Sequence, residues 1–301
     1  MNFNENYLEL LSKTPHRSFK QIKVENCEYA DYIEGGKNCY YVFDAGEVED
    51  VYYSDWIAFS KNCCDCSHSL MMELSYECID CQECYNSNFL LDCSNMTDCN
   101  FCFSCKSCKN CFLCSGIKQK KYCIFNKEHS ENDYYEKIAH LKKEGISKLI
   151  DLLNEFNLNV PRINMHLVNC ENCSGDFITD SKNVYHSFGI FKEQDSGYLH
   201  DWGSYETGSD NFDCLMGGNS QLCYECVYMD YGYNCNFMHS CSHCTDCEYC
   251  VECHNCKNCF GCSYLQHKEF YILNQPVSKD EFFEKVAKIK KGLNANEKIN
   301  Q

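Results

Sequence analysis

Every third residue from Cys27 to Cys114 is small, aliphatic or a methionine. The series begins Cys27, Ala30, Ile33, Gly36, Cys39, Val42 and ends Cys99, Cys102, Cys105, Cys108, Cys111, Cys114. None of its 30 positions is charged, aromatic or a large amide. The chain as a whole is 24% charged, so avoiding charge alone at all of them has a chance probability of about 3 in 10,000. The pattern returns between Cys214 and Cys262, where the same step meets only Cys, Gly, Ser or Met, and the last eight positions, Cys241 through Cys262, are all Cys. A period of three suits neither a helix nor a flat strand, whose side chains repeat at 3.6 and 2 residues. It suits a chain that turns a corner after every short extended segment, with one small residue inward between outward ones.

A longer period lies over the first. Asn26, Asn38, Asp50, Asn62, Asn86, Asp98 and Asn110 recur in steps of 12, with Leu74 as the one miss. Asn and Asp tolerate the left-handed conformation and bond their own backbone, so they suit corners. Aromatic residues follow two or three positions later, at Tyr29, Tyr40 or Tyr41, Tyr52 or Tyr53, Tyr76, Phe89, Phe101 and Phe112, and are expected to stack as a ladder on one outer face. A turn of 12 residues, or of 24 holding two units, explains the repeat, and 12 is preferred.

The two halves also align with each other. Asn26-Cys27 matches Asn172-Cys173, Asp55-Trp56 matches Asp201-Trp202, Asn110-Cys111-Phe112 matches Asn258-Cys259-Phe260, and Tyr122–Asn126 matches Phe270–Asn274. Each array is followed by a helical pattern. Ser278-Lys279-Asp280-Glu281 is a capping box, and Ser130 with Asp133 is its weaker counterpart. The helices are expected from about Glu131 to Phe156, with a break at Gly145, and from about Lys279 to Lys291. A short one near Tyr7–Ser12 matches Leu149–Asn154. The expected fold is therefore mainly β: two tandem narrow parallel β-solenoid lobes with inward Cys columns, each followed by a capping α-helix, with lobes at 1–148 and 149–301.

The run Asn110-Cys-Phe-Leu-Cys-Ser-Gly, then Lys121-Tyr-Cys-Ile-Phe-Asn-Lys127, then an acidic and aromatic helix, resembles an uncharacterised family of Cys-rich tandem-repeat proteins of small-genome uncultured bacteria. The resemblance covers most of each half. The second copy departs from it, with Tyr271 in place of Cys and Gln275 in place of Lys. It implies a repeat architecture and no established activity, so it assigns no functional residues.

Charge narrows the partners. The chain carries −17, of which −11 lies in residues 27–114 and −10 in 173–262, so the joining segments are mildly basic. Lys118, Lys120 and Lys121 form the longest basic cluster, and direct binding of nucleic acid is not expected. Met1–Lys20 has no apolar signal-peptide core, and no apolar run approaches the roughly 18 residues of a membrane span. The expectation is a cytoplasmic protein in a reducing compartment, with no membrane contact.

The 30 cysteines then admit three readings. Cys is a small buried hydrophobe, and Ala, Val, Ser and Gly fill the same positions over Cys27–Ser60, which makes it core filler. Stacked thiolates could instead bind thiophilic metal, Zn, Cu(I) or an iron–sulfur cluster. The candidate ligands are the densest runs: Cys99, Cys102, Cys105, Cys108, Cys111 and Cys114, with Cys241, Cys244, Cys247, Cys250, Cys253, Cys256, Cys259 and Cys262. His243 and His254 lie among the second run and are read as solvated. Columns at strand spacing would also permit disulfides, an arrangement that resembles the thin insect antifreeze solenoids. Cys64, Cys123, Cys170 and Cys173 are read as lying outside the two main registers and exposed.

No nucleophile elbow, phosphate loop, dinucleotide fingerprint or ferredoxin-type Cys spacing is present, so no enzyme activity is expected. A protein partner engaged through the acidic or aromatic faces is a further reading. Pentapeptide-repeat proteins resemble this chain as narrow acidic solenoids, and some of them act as DNA decoys. The Asp and Glu here keep no single phase, so solubility is the preferred reason for the charge.

Overall fold

Asparagine, aspartate and every third residue around them set the backbone of the computed structural model, which describes residues 2–15, 18–200, 203–215, 223–224, 227–229, 239–241 and 245–297. From Lys23 to Tyr122 a positive φ returns every third residue, for example Asn26 (53°), Tyr29 (49°), Tyr53 (50°), Leu74 (51°), Phe101 (54°) and Tyr122 (55°). The step of three was expected to turn a corner after every short extended segment, with Asn and Asp marking a corner every twelve residues; left-handed corners occur at every third residue. No Val, Ile, Thr or Pro occupies any of them. Branching at Cβ crowds the carbonyl in the left-handed region, and proline's ring forbids it. From Tyr29 to Leu113 the residue after each corner is buried, which gives Tyr40–Cys64 its burial at every third position.

Contacts divide the chain into two units, Arg17–Arg162 and Met1–His16 with Ile163–Gln301. The first unit is one ten-stranded sheet in sequence order, from Gln21–Ile22 to Lys127–Glu128. It is parallel until its final pair, and its register is constant: Gln21↔Ile33, Asp31↔Phe43, Asp55↔Ser67, Tyr76↔Asn88, Asn100↔Phe112 and Lys109↔Lys121 are each twelve apart. That selects 12 over 24. A parallel pairing ordinarily needs a crossover of a dozen or more residues with a helix in it. Here strand and return together take twelve, because the corners do the turning.

The twelve-residue register stacks like on like. Asn26 donates through Nδ2 to Asn38 Oδ1 at 2.9 Å, and Asn38 donates onward to Asp50 Oδ1 at 3.0 Å. Asn172, Asn183 and Asp195 form the same chain in the second unit, at 3.0 and 2.6 Å. Lys37 and Lys61 flank Glu49 in another column, at 3.7 and 2.7 Å. The buried column runs from Ala30 and Ile33 through the cysteines to Cys123. Cys123 corrects its sequence reading: it is fully buried, because it falls nine residues after Cys114 and so keeps the step of three. Cys64, Cys170 and Cys173 are partly exposed.

The second unit is also parallel, with an uneven register. Leu167↔Ile178 are eleven apart, Gly175↔Ser187 and Lys257↔Glu269 twelve, and Glu193↔Gly208 fifteen. The long step inserts one whole triplet, so the buried phase survives. At that step Glu193 is buried, accepting from Ser196 Oγ at 2.9 Å and Asn211 Nδ2 at 2.6 Å. Gly208 makes room for it: a Cβ there would lie 2.4 Å from Glu193 Oε2.

The last strands of each unit form an antiparallel pair, Ile124↔Lys127 in one and Tyr271↔Pro276 in the other. Asn126 in the first turn accepts from Ser115 N–H at 2.9 Å and donates to Ser115 C=O at 2.7 Å, completing the edge with a side-chain amide. Asn274 does the same for Ser263.

Among the described residues four α-helices accompany the sheets: α1 (Phe3–Lys13), α2 (Glu131–Leu141), α3 (Ile146–Asn157) and α4 (Lys279–Glu297). The break between α2 and α3 falls at Gly145 (φ 84°), as its sequence suggests, and α4 runs past the expected Lys291. Ser278 and Glu281 form the capping bonds at the start of α4. In the first unit Tyr134 of α2 and Leu149 of α3 join an apolar cluster with Phe101, Phe112, Leu113 and Ile124. In the second, Phe282 and Val286 of α4 join Phe260 and Ile272, and Phe3 of α1 packs with them. Phe3 lies 5.0 Å from Phe260, ring to ring. Gly261 (φ 63°) leaves the space, since a Cβ there would stand 2.8 Å from the Phe3 ring; Leu113 holds the matching position in the first unit. No described helix is long and apolar enough to cross a membrane.

Candidate functional site: the thiol core

Because each corner is left-handed, the side chain that follows it points inward over the carbonyl two residues back. Cys39 donates to Lys37 C=O at 3.3 Å, Cys99 to Thr97 at 3.2 Å, Cys114 to Phe112 at 3.4 Å and Cys250 to Glu248 at 3.3 Å. Serines in the same columns make the same bond: Ser54 to Tyr52 at 2.9 Å, Ser69 to Ser67 at 2.8 Å and Ser187 to Tyr185 at 2.8 Å. The inward group is also an acceptor. The N–H of Cys66 donates to Ser54 Oγ at 3.1 Å and that of Cys99 to Ser87 Oγ at 3.1 Å, each from twelve residues on. The Cys111 N–H bonds the Cys99 sulfur and the Cys259 N–H that of Cys247 in the same way.

All six candidates of the first run, Cys99, Cys102, Cys105, Cys108, Cys111 and Cys114, are buried in one core. Cys247, Cys250, Cys253, Cys256, Cys259 and Cys262 are buried in the other. Cys241 ends the strand His239–Cys241, and Cys244 and His243 lie outside the described residues. His254 faces Glu252 at 3.6 Å. Cysteines twelve apart are register partners, as in Cys102↔Cys114 and Cys111↔Cys123. Many of these thiols also lie against the carbonyl nine residues on, Cys99 at Cys108 (3.5 Å), Cys102 at Cys111 (3.7 Å) and Cys250 at Cys259 (3.5 Å).

Burial pushes the Cys39 thiol up to about 11 and Cys123 up to about 12, and it holds Cys93 well above the ordinary range. An apolar surround disfavours the thiolate, so these groups are neutral at physiological pH.

Among the described residues no group of three or more His, Cys, Asp or Glu side chains is arranged to hold a metal ion. Successive buried cysteines face the core from different sides, and column neighbours stand about one strand spacing, ~4.8 Å, apart. Tetrahedral zinc needs four sulfurs about 2.3 Å from a single point.

The outer faces divide as well. Tyr29, Tyr41 and Tyr53 form an exposed column, with Tyr41 and Tyr53 centred 6.0 Å apart. Further along, Phe89 and Phe101 stack at 4.5 Å and pack into the cluster that α2 and α3 join. The sequence reading missed the buried Glu193, Ser196 and Asn211 group. Its signal was a glutamate falling in phase with Ser187, Ile190 and Ser196.

No family model and no curated protein matches the chain. It is similar to a solved structure from Desulfovibrio desulfuricans G20 named as an inferred acetyltransferase, at 8% identity over 85% of this chain and 72% of that one, with a TM-score of 0.19. At that score the likeness carries no argument.

Proposed function

We propose that this chain is a non-enzymatic scaffold of two tandem narrow solenoid lobes, with one rung per twelve residues. In this reading α2 with α3, and α4 with α1, cap the last rungs, and thiols bonded to the backbone form the core. The observation that carries it is the equivalence of Cys and Ser in the buried columns. Both donate to the carbonyl two residues back, and both accept from the N–H one rung on. A thiol fills more of the narrow interior than a hydroxyl while meeting the same backbone groups. Function then lies on the outside, in the acidic faces and the exposed tyrosine column, which offer themselves to a protein partner.

Two measurements test this. Chelation of the anaerobic, reduced protein should leave its far-UV circular dichroism and its unfolding midpoint unchanged. Close to all 30 thiols should titrate on unfolding. Collapse on chelation would instead make the cores structural metal sites built from the Zn, Cu(I) or iron–sulfur ligands named above.

A further inference from the structure

One arrangement in the thiol cores goes beyond filling. The buried columns vary freely along most of the first unit, through Ala30, Val42, Ile57, Ser69, Met72 and Leu90. They stop varying toward the end of each lobe. Cys99, Cys102, Cys105 and Cys108 occupy all four inward positions, and Cys247, Cys250, Cys253 and Cys256 do so 148 residues later. The next rung repeats Cys111 with Cys114, and Cys259 with Cys262. Interchangeable filler has no reason to keep these positions alike in both copies.

Geometry decides what such a column can hold. Cys102 and Cys114 are register partners on adjacent parallel strands, both fully buried. Cys250 and Cys262, also twelve residues apart, are fully buried in the same way. Two metal–sulfur bonds of about 2.3 Å laid end to end span ~4.6 Å, which matches a strand spacing of ~4.8 Å. Linear coordination by two soft ligands suits a soft monovalent cation, and thiolates select Cu(I). The outer sulfur of each pair already faces a backbone N–H, from Asn126 at Cys114 and from Asn274 at Cys262.

We propose that Cys102 with Cys114, and Cys250 with Cys262, each bind one Cu(I) ion in linear two-sulfur coordination. On binding, two S–H bonds break and two Cu–S bonds form. Two protons leave to solvent, no electron is transferred, and the product carries one negative charge. The inference does not rest on the scaffold reading, which concerns the metal-free protein.

The test uses the full reduced chain, metal-free and anaerobic, titrated with tetrakis(acetonitrile)copper(I) against the chelator bathocuproine disulfonate. X-ray absorption at copper should give a first shell of two sulfurs, and a pH-stat should record two protons released per ion. Cys102→Ser and Cys250→Ser should each lower the number of retained ions by one, and the double variant by two. Serine keeps the carbonyl bond in these columns, so the variants should fold, which circular dichroism checks. Cys63→Ser, whose neighbour one rung on is Ser75, should retain the full number. A first shell of three or more sulfurs, three protons per ion, full retention by both single variants, or no copper held against the chelator would each overturn the proposal. The proton count and the absorption spectrum need no variant, so they decide the matter even where a variant misfolds.

Discussion

Leu74 offers a direct measure of what the corners cost. It sits at φ 51° and is 44% exposed, in a column whose neighbours twelve residues away are Asn62 and Asn86. An L-residue in the left-handed region bears roughly 1–2 kcal/mol, and a β-branched one reaches the upper end of a range of about 1–3 kcal/mol. Leu74→Val should therefore destabilise by ~1–2 kcal/mol, although it keeps an apolar side chain. Leu74→Asn removes about 1 kcal/mol of backbone cost. It adds two amide bonds to the column, together about 1 kcal/mol at a surface, and forfeits about 1 kcal/mol of half-buried leucine. The net is a gain of ~1 kcal/mol, so Asn and Val should differ by ~2–3 kcal/mol at one exposed position. Urea unfolding followed by circular dichroism should rank Asn above Leu above Val, with unchanged slopes. Midpoints for Val at or above Asn would refute the claim that left-handed corners govern which residues this repeat accepts.

Other perturbations probe the ends of the sheets. Asn126→Gly keeps the turn conformation but loses both bonds to Ser115, and should cost about 1–3 kcal/mol, with faster amide exchange at Ser115; protection equal to the parent would contradict the edge role. Phe3→Ala should loosen α1 and expose it to limited proteolysis, and Gly261→Leu should do the same by collision. Combined, the two should partly restore protection, since Leu113 fills the matching place in the first unit; strictly additive losses would count against that packing. Asp176 titrates usefully. Burial raises its carboxyl, but the His166 backbone N–H at 2.6 Å, the His166 ring at 2.8 Å and the Phe177 N–H at 3.0 Å outweigh this and hold it below the usual range. Its folded value is thus the lower one. Its contribution is present above the unfolded value of about 3.9 and is lost as pH falls through the folded value. Asp176→Asn should flatten the acid limb of the stability curve, and an identical limb would rule the pair out.

The step of three between Cys27 and Cys114 was enough to place the buried columns, because burial in a narrow core is decided one residue at a time. The helices after each array were legible from Ser130 and Ser278, whose caps are local. The corners were half legible. Asn and Asp announced one in four of them, while Tyr, Phe, Glu and Leu at the rest, such as Tyr53 and Phe101, carry no positive signal. Their common mark is negative: Val, Ile, Thr and Pro are missing from those positions. The thiol-to-carbonyl bonds were hidden for the same reason, since they follow from left-handed geometry rather than from cysteine. The fifteen-residue step beside Glu193 was not legible, because inserting a whole triplet leaves the phase intact. Nor was the docking of α1, whose own residues do not say which sheet they close.

That docking has a consequence for synthesis. α1 leaves the ribosome well before Phe260, the ring it packs with, which lies some 250 residues further along the chain. Meanwhile the whole Arg17–Arg162 unit can form, so it is an insertion within the other unit. Until Phe260 arrives, Phe3 lacks the ring it packs against, and α1 is a short amphipathic helix of the kind that is marginal in isolation. The second unit cannot complete the apolar cluster around Phe260 until α1 returns to it. A permuted chain that carried residues 2–15 just after α4 would make both helices of that cluster consecutively, as α2 and α3 are made in the first unit.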